Sequence, residues 1–311
     1  MAIRKILVCG ATGQQGSAVI NALLACPPPY PHEILALTRN PASDAAQIIA
    51  SKSKKITLLS GDLNDCRAIF ISAGGPGAVY GVFSVQLPAF SQKNVPNDIE
   101  EQQGIALIDA AIAAGVQHFI YSSVDRGGVN SINDPTPVPH FASKHRIEKH
   151  LIASTNDATK NTAKTAYTIL RPTAFYDNLT PDIMGKGFAA MWRNMGVPLQ
   201  LVSTRDIGVF AALAFADPEL PNYRNNAMSL AGDKITQVQG SNSFQKVFGK
   251  NMPIAFGFMG HVTQLMVKEL GVMFQWLSEV GYKADVDKCR QLHPTMQNFE
   301  TWLREESKFR K

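Results

Sequence analysis

The chain has 311 residues, 45% hydrophobic and 18% charged, which supports a sizeable buried core and excludes a disordered polymer. Its net charge of +5 comes from 30 Lys and Arg against 25 Asp and Glu. These cations are spread along the chain, and the one small cluster is the tail Lys308-Phe309-Arg310-Lys311, so a solvated tail is expected and not a direct nucleic-acid contact.

From the N-terminus onward, short β-branched runs alternate with longer helical patterns. Strands are expected at residues 5–9, 33–38, 56–59, 78–85, 119–122 and 165–170, and helices at 15–26, 42–51, 66–72, 99–115 and 141–154. This alternation argues for an α/β fold with a doubly wound parallel sheet and right-handed crossovers. The helix at 99–115 shows its period in Ile105, Ile108, Ala111 and Ile112, and Gly115 is placed to stop it. Residues 27–31 read as a tight proline-rich connection and 127–139 as a long loop. Beyond Arg171-Pro172 the alternation fades: strand-like pieces stand at 199–202 and 227–230, and from 236 onward the pattern is mostly helical.

The strongest local signal is Gly10-Ala11-Thr12-Gly13-Gln14-Gln15-Gly16, directly after the first strand and opening the first helix. Gly10 permits the tight turn, Gly13 lets backbone approach a pyrophosphate, and Gly16 lets helix and strand pack closely. With Thr12, Gln14 and Gln15 these residues form the expected dinucleotide cradle of a Rossmann fold, the diphosphate lying at the helix N-terminus. An NAD site places Asp or Glu at the end of the second strand; here stand Thr38-Arg39-Asn40. A guanidinium binds a 2′-phosphate that a carboxylate would repel, so Arg39 and Asn40 point to NADP(H). Asp62 and Leu63, after the third strand, are candidates for the adenine side, and capping of the next helix is an equally good role for Asp62. Gln86, after the fourth strand, is expected beside the ribose nearest the nicotinamide. The resulting division is an NADP-binding domain over 1–172, with later returns near 199–232, and a smaller, mostly helical subdomain over 173–311 for substrate or partner.

These residues, with others downstream, give the chain a likeness to a known family. GATGQQG (10–16), LTRN (37–40), GDL (61–63), AAIAAGVQHFIYSS (110–123), HFASKHRIE (140–148), ILRPTAFYDNL (169–179) and TRDIG (204–208) together resemble the NmrA-like family of atypical short-chain dehydrogenase/reductases. Leu292-His293-Pro294 and Phe299-Glu300-Thr301-Trp302 extend the likeness almost to the end. The glycine motif is shared by many families, but the ordered set is specific. The resemblance implies an NADP-binding Rossmann domain with a smaller C-terminal subdomain. It also implies one of two functions. Some members are NADPH-dependent reductases, several of them in fungal secondary metabolism; others are redox-sensing regulators that bind the dinucleotide and protein partners.

Ordinary short-chain reductases carry Tyr-x-x-x-Lys on the helix after the fifth strand, and a Ser just after that strand. The spacing puts Tyr and Lys on one face, where the Lys holds the ribose and assists the phenol as proton donor. Here Lys144 is in place and Ser122 and Ser123 fit the strand end, but His140 occupies the Tyr position. His140 is a replacement acid, a remnant in a binding-only site, or a bystander in a reaction that needs no proton, such as hydride addition to an iminium carbon. Tyr121 and Tyr176 are the other phenols to consider. Pro172 and Phe175 are expected at the nicotinamide end, and Phe256, Phe258, Met259, Met266, Met273 and Phe274 are candidates for an apolar pocket or for plain core. The expected catalytic set is Lys144, His140 and Ser123.

Four cysteines (Cys9, Cys26, Cys66, Cys289) lie far apart without metal-ligand spacing, so scattered thiols and no metal are expected. The longest stretch without formal charge, 251–267, is too short and too polar to span a bilayer. A cytoplasmic protein is expected, with the nucleus as a second compartment. The reading is an NADPH-dependent reductase of a small imine, iminium, enone or carbonyl compound. Its alternative is a non-catalytic NADP(H)-binding co-regulator acting through a protein partner.

Overall fold

A computed structural model of the chain describes residues 3–88, 96, 98–255 and 268–310. Its main sheet has seven strands in the order β3-β2-β1-β4-β5-β6-β9. These are β1 (Arg4–Val8), β2 (His32–Thr38), β3 (Ile56–Ser60), β4 (Val79–Ser84), β5 (His118–Ser122), β6 (Ala166–Pro172) and β9 (Asn226–Leu230). The pairings from β3 through β6 are all parallel, and the jump from β1 to β4 is the topological switch of a doubly wound sheet. The expected Rossmann-type α/β fold is therefore observed. A second sheet joins β7 (Ala174–Phe175), β8 (Leu199–Val202) and β10 (Asp233–Ile235) in the order β10-β8-β7.

The chain divides into two compact units. The first comprises residues 1–123, 143–170 and 207–228. Its core packs Leu7, Leu35, Val82, Phe119 and Ile169 of the sheet against Leu107, Ile108 and Ala111 of α4 (Ile99–Ala113) and Ile147 and Leu151 of α5 (Pro139–Asn156). The α4 stripe differs by one position from the expected one: Leu107 is fully buried, whereas Ile105 is only partly so. Both fit a 3.6-residue period, and the facing Ile147 sets the choice by packing against Gly104, where a side chain's first carbon would lie 2.6 Å from its Cδ1. Gly115 stops α4 as expected: at φ +75° it donates to Ile112 O, and Val116 donates to Ala111 O, closing a Schellman turn. On β5, buried His118 places Nε2 2.8 Å from Thr168 Oγ1. That hydroxyl already donates to Tyr223 O, so the imidazole is the donor at Nε2.

The second unit comprises residues 124–142, 171–206 and 229–311. Its core gathers Tyr176, Leu199 and Leu201 with Trp192 of α6 (Ile183–Met195), Phe244 of α8 (Gln237–Phe248), Trp276 of α9 (Lys268–Glu279) and Phe299 and Trp302 of α11 (Phe299–Glu305). The expected loop at 127–139 includes a 3-10 turn at Gly128–Ile132. Buried Arg126 ties its start together by donating to Val124 O and Ser131 O. Asp125, also fully buried, accepts from the N–H groups of Gly127, Gly128 and Lys283 and from Ser229 Oγ. No helix among the described residues is long and apolar enough to cross a membrane.

Candidate functional site

The glycine turn behaves as its residue types require. Gly10 sits at φ +61°, a conformation that side chains disfavour, and its carbonyl accepts the Gly13 N–H at 2.8 Å. At Gly16 a Cβ would meet that same carbonyl oxygen at 2.2 Å, so only glycine allows the helix to start this close to the strand. The helix that follows, α1 (Gln14–Ala25), has Gly13 as its cap, with no side-chain cap bond and no acidic residue in its first turn. Other helices are closed by side chains: α2 (Asp44–Ser51) by Ser43, α6 by Asp182, α8 by Thr236 and α11 by Asn298. The open N–H groups and positive end of α1 thus suit an anion.

The other residues predicted for the nucleotide side lie in the same unit. Thr12, Gln14, Arg39 and Asn40 are exposed, and no carboxylate stands at the end of β2. Gln15 Oε1 accepts from Ser122 Oγ at 2.5 Å, tying the glycine turn to the end of β5. Asp62 accepts from the Asn64 N–H and so fills the capping role, with Leu63 half-buried beside it. Gln86 is buried, with Nε2 on Ser84 Oγ, and its Oε1 has no partner among the described residues. An orphaned acceptor costs about 1–3 kcal/mol when left dry, and a ligand hydroxyl would relieve it. The turn, the uncapped helix end and this oxygen fit a dinucleotide.

Lys144, on α5, is buried, and its ammonium lies 2.6 Å from Glu100 Oε1. Glu100 is itself 2% exposed, and its Oε2 accepts from Ser143 Oγ at 3.0 Å. Nothing in the sequence flags Glu100, whose partners lie more than forty positions away. Ser123 is buried at the end of β5 and its N–H donates to Leu170 O.

His140, Pro172, Phe175 and Tyr176 belong to the second unit. His140 stands in the first turn of α5, one turn before Lys144, with Nδ1 2.8 Å from Glu269 Oε1. Pro172 is buried at the end of β6, and Phe175 is half-buried in β7. Tyr176 is core: it is fully buried and stacks on Trp302 at 5.6 Å. Burial and the nearby Asp233 and Asp206 charges raise its phenol well above the ordinary range, so it keeps its proton. Tyr121 is likewise fully buried, in the first unit. Phe274 packs in the second unit's core with Met273 against it, while Phe256, Phe258, Met259 and Met266 lie outside the described residues. Among the described residues no group of His, Cys, Asp and Glu has metal-binding geometry.

A family model described as the NmrA-like family matches residues 3–303. An NmrA-like family domain-containing oxidoreductase of Aspergillus hancockii is 33% identical over 149 residues, 47% of this chain and 41% of the relative. A nitrogen metabolite repression protein of Neurospora crassa is 26% identical over 268 residues, 79% of this chain and 53% of that protein. The chain thus spans about half, or less, of the length of these curated relatives. Among solved structures, an NADPH-dependent quinone oxidoreductase of Escherichia coli complexed with NADPH superposes with a TM-score of 0.68 at 22% identity, covering 97% of this chain and 98% of that one.

Proposed function

The chain belongs to the NmrA-like family, and we propose that it is an NADPH-dependent oxidoreductase that reduces a small organic molecule: an imine or iminium, an enone or a carbonyl compound. The observation that carries this reading is the open N-terminus of α1 behind the Gly10–Gly16 turn, in a unit that also holds Lys144 by a buried carboxylate. The same cofactor is bound by the quinone oxidoreductase whose fold this chain shares.

In this reading the Gly13, Gln14 and Gln15 backbone holds the diphosphate, with Gly10, Thr12 and Gly16 shaping the turn. Arg39 and Asn40 take the 2′-phosphate, Asp62 and Leu63 border the adenine side, and Gln86 and Lys144 hold the ribose nearest the nicotinamide. Pro172 and Phe175 border the nicotinamide end, and residues 173–311 supply the substrate side. Bound there, NADPH supplies a hydride. Ser123 orients the substrate, and His140 stands where a proton is given.

A second reading, a co-regulator whose ligand is the dinucleotide and whose output is a protein contact, is favoured by the Neurospora relative, which matches over 79% of the chain. The two separate in one experiment. NADPH and NADH binding and NADPH oxidation are followed on a panel of imines, enones, aldehydes and quinones with the parent, Arg39→Ala and Lys144→Ala. The reductase predicts turnover that drops about 100-fold in Lys144→Ala, and NADPH affinity that drops about tenfold in Arg39→Ala with NADH affinity little changed. Tight, Arg39-dependent binding with no turnover across the panel would transfer the proposal to the co-regulator.

A further inference from the structure

His140 stands four residues before Lys144 on one helix, the place of the reductase Tyr, and it does not stand alone. Glu269, in the first turn of α9, sends one oxygen to two donors of the same residue. Its Oε1 lies 2.9 Å from the His140 backbone N and 2.8 Å from the ring Nδ1. An ionised carboxylate only accepts, so both nitrogens carry hydrogen there. The pair is well shielded, with side chains 10% and 22% exposed.

The surroundings hold the ring in this pose. His140 meets Phe141 edge to face at 4.7 Å. Phe141 in turn packs at 5.5 Å on Trp276, which sits on the same helix as Glu269. Capping α5 needs only the backbone N–H, and a carboxylate at a helix start serves that alone. The ring contact is additional, and its effect is chemical. A carboxylate on one imidazole nitrogen decides which tautomer is present and therefore which nitrogen exchanges protons.

We infer that Glu269 is a positioning residue: it fixes His140 with Nδ1–H on the carboxylate and so makes Nε2 the proton-exchanging atom. What that proton does rests on the reductase reading. The Nε2–H bond of the doubly protonated ring breaks and its electron pair stays on the ring. The proton goes to the substrate atom made basic by the hydride received from NADPH. The neutral Nδ1–H ring that remains is still held by Glu269, and solvent restores the proton. A substrate that gains charge on a heteroatom, such as a carbonyl compound or a quinone, then needs this pair, whereas an iminium does not.

The test uses the full chain with nitrogen-15-labelled histidine. The His140 signals are assigned by their loss in His140→Asn, and folding of each variant is checked by its melting curve. In the parent, the neutral ring shows a pyrrole-type Nδ1 and a pyridine-type Nε2. In Glu269→Ala the pattern reverts toward the opposite tautomer, and Glu269→Asp restores it. With a carbonyl substrate from the panel, kcat falls about tenfold or more in Glu269→Ala while NADPH affinity is unchanged. Unaltered nitrogen shifts in a folded Glu269→Ala protein would overturn the inference whatever the turnover. Absence of turnover in the parent sinks the reductase reading alone, because the nitrogen shifts report the pair in the resting protein.

Discussion

At the scale of single residues, Glu100 and Lys144 form a buried ion pair within the first unit. Both groups are out of water, and Glu100 is 2% exposed. A buried pair adds little net stability, but removing one partner strands the other charge, at about 3–5 kcal/mol. Glu100→Ala is therefore expected to lower the unfolding free energy, read from urea denaturation, by that amount, whereas Lys144→Ala leaves a carboxylate that can take up a proton and cost less. Equal losses in the two variants would contradict this account. The same pair shows the limit of a residue-by-residue reading of the chain. Lys144 was visible because a spacing from His140 marks it; Glu100 was not, because its value comes from a partner on another helix. Glu269 was hidden in the same way, 129 positions from His140. The Gly10–Gly16 turn was fully legible, since its geometry is local and only glycine tolerates it.

At the scale of elements, the long strands were legible because apolar, buried runs persist over seven residues, as in β2 and β6. The two-residue β7 and the three-residue β10 are too short to display a period, and only their partner β8 gives them an identity. The join of β5 to β6 also carries a pH response. His118 and Thr168 bridge the two strands, and burial, aided by the Arg224 charge, pushes the imidazole pKa from its ordinary 6.5 down to about 3. The folded state holds the ring neutral, while the unfolded chain takes up a proton near 6.5. Stability is thus complete above that pH and is lost as pH falls from about 6.5 toward 3, by up to about 1.4 kcal/mol per pH unit. Denaturant midpoints measured at pH 7 and pH 5 should fall for the parent and converge for His118→Phe, apart from a constant offset for the lost Thr168 bond.

At the scale of the whole molecule, two apolar cores are built by different means. The first rests on aliphatic side chains between sheet and helices, the second on stacked rings. Trp302 is 2% exposed and lies 5.9 Å from Phe299 and 5.6 Å from Tyr176, nearly parallel to both. Trp302→Ala is expected to cost about 3–5 kcal/mol through cavity formation and lost ring contact. The near-ultraviolet circular dichroism of the stacked rings should collapse with it, while the far-ultraviolet signal of the parallel sheet persists to higher temperature. Simultaneous loss of both signals would show the two cores to be one cooperative system.

The four bonds that converge on Asp125 have a temporal side. The carboxylate reaches Gly127 and Gly128 at once, but Ser229 lies 104 residues downstream and Lys283 lies 158 downstream. A ribosome makes residue 125 long before it makes residue 283. In that interval the carboxylate keeps its water, and the stretch that will carry it inward has no reason to close. Closing such a distant contact is slow, because the chain must first give up the freedom of everything between. The second unit therefore cannot be completed until Lys283 has been made.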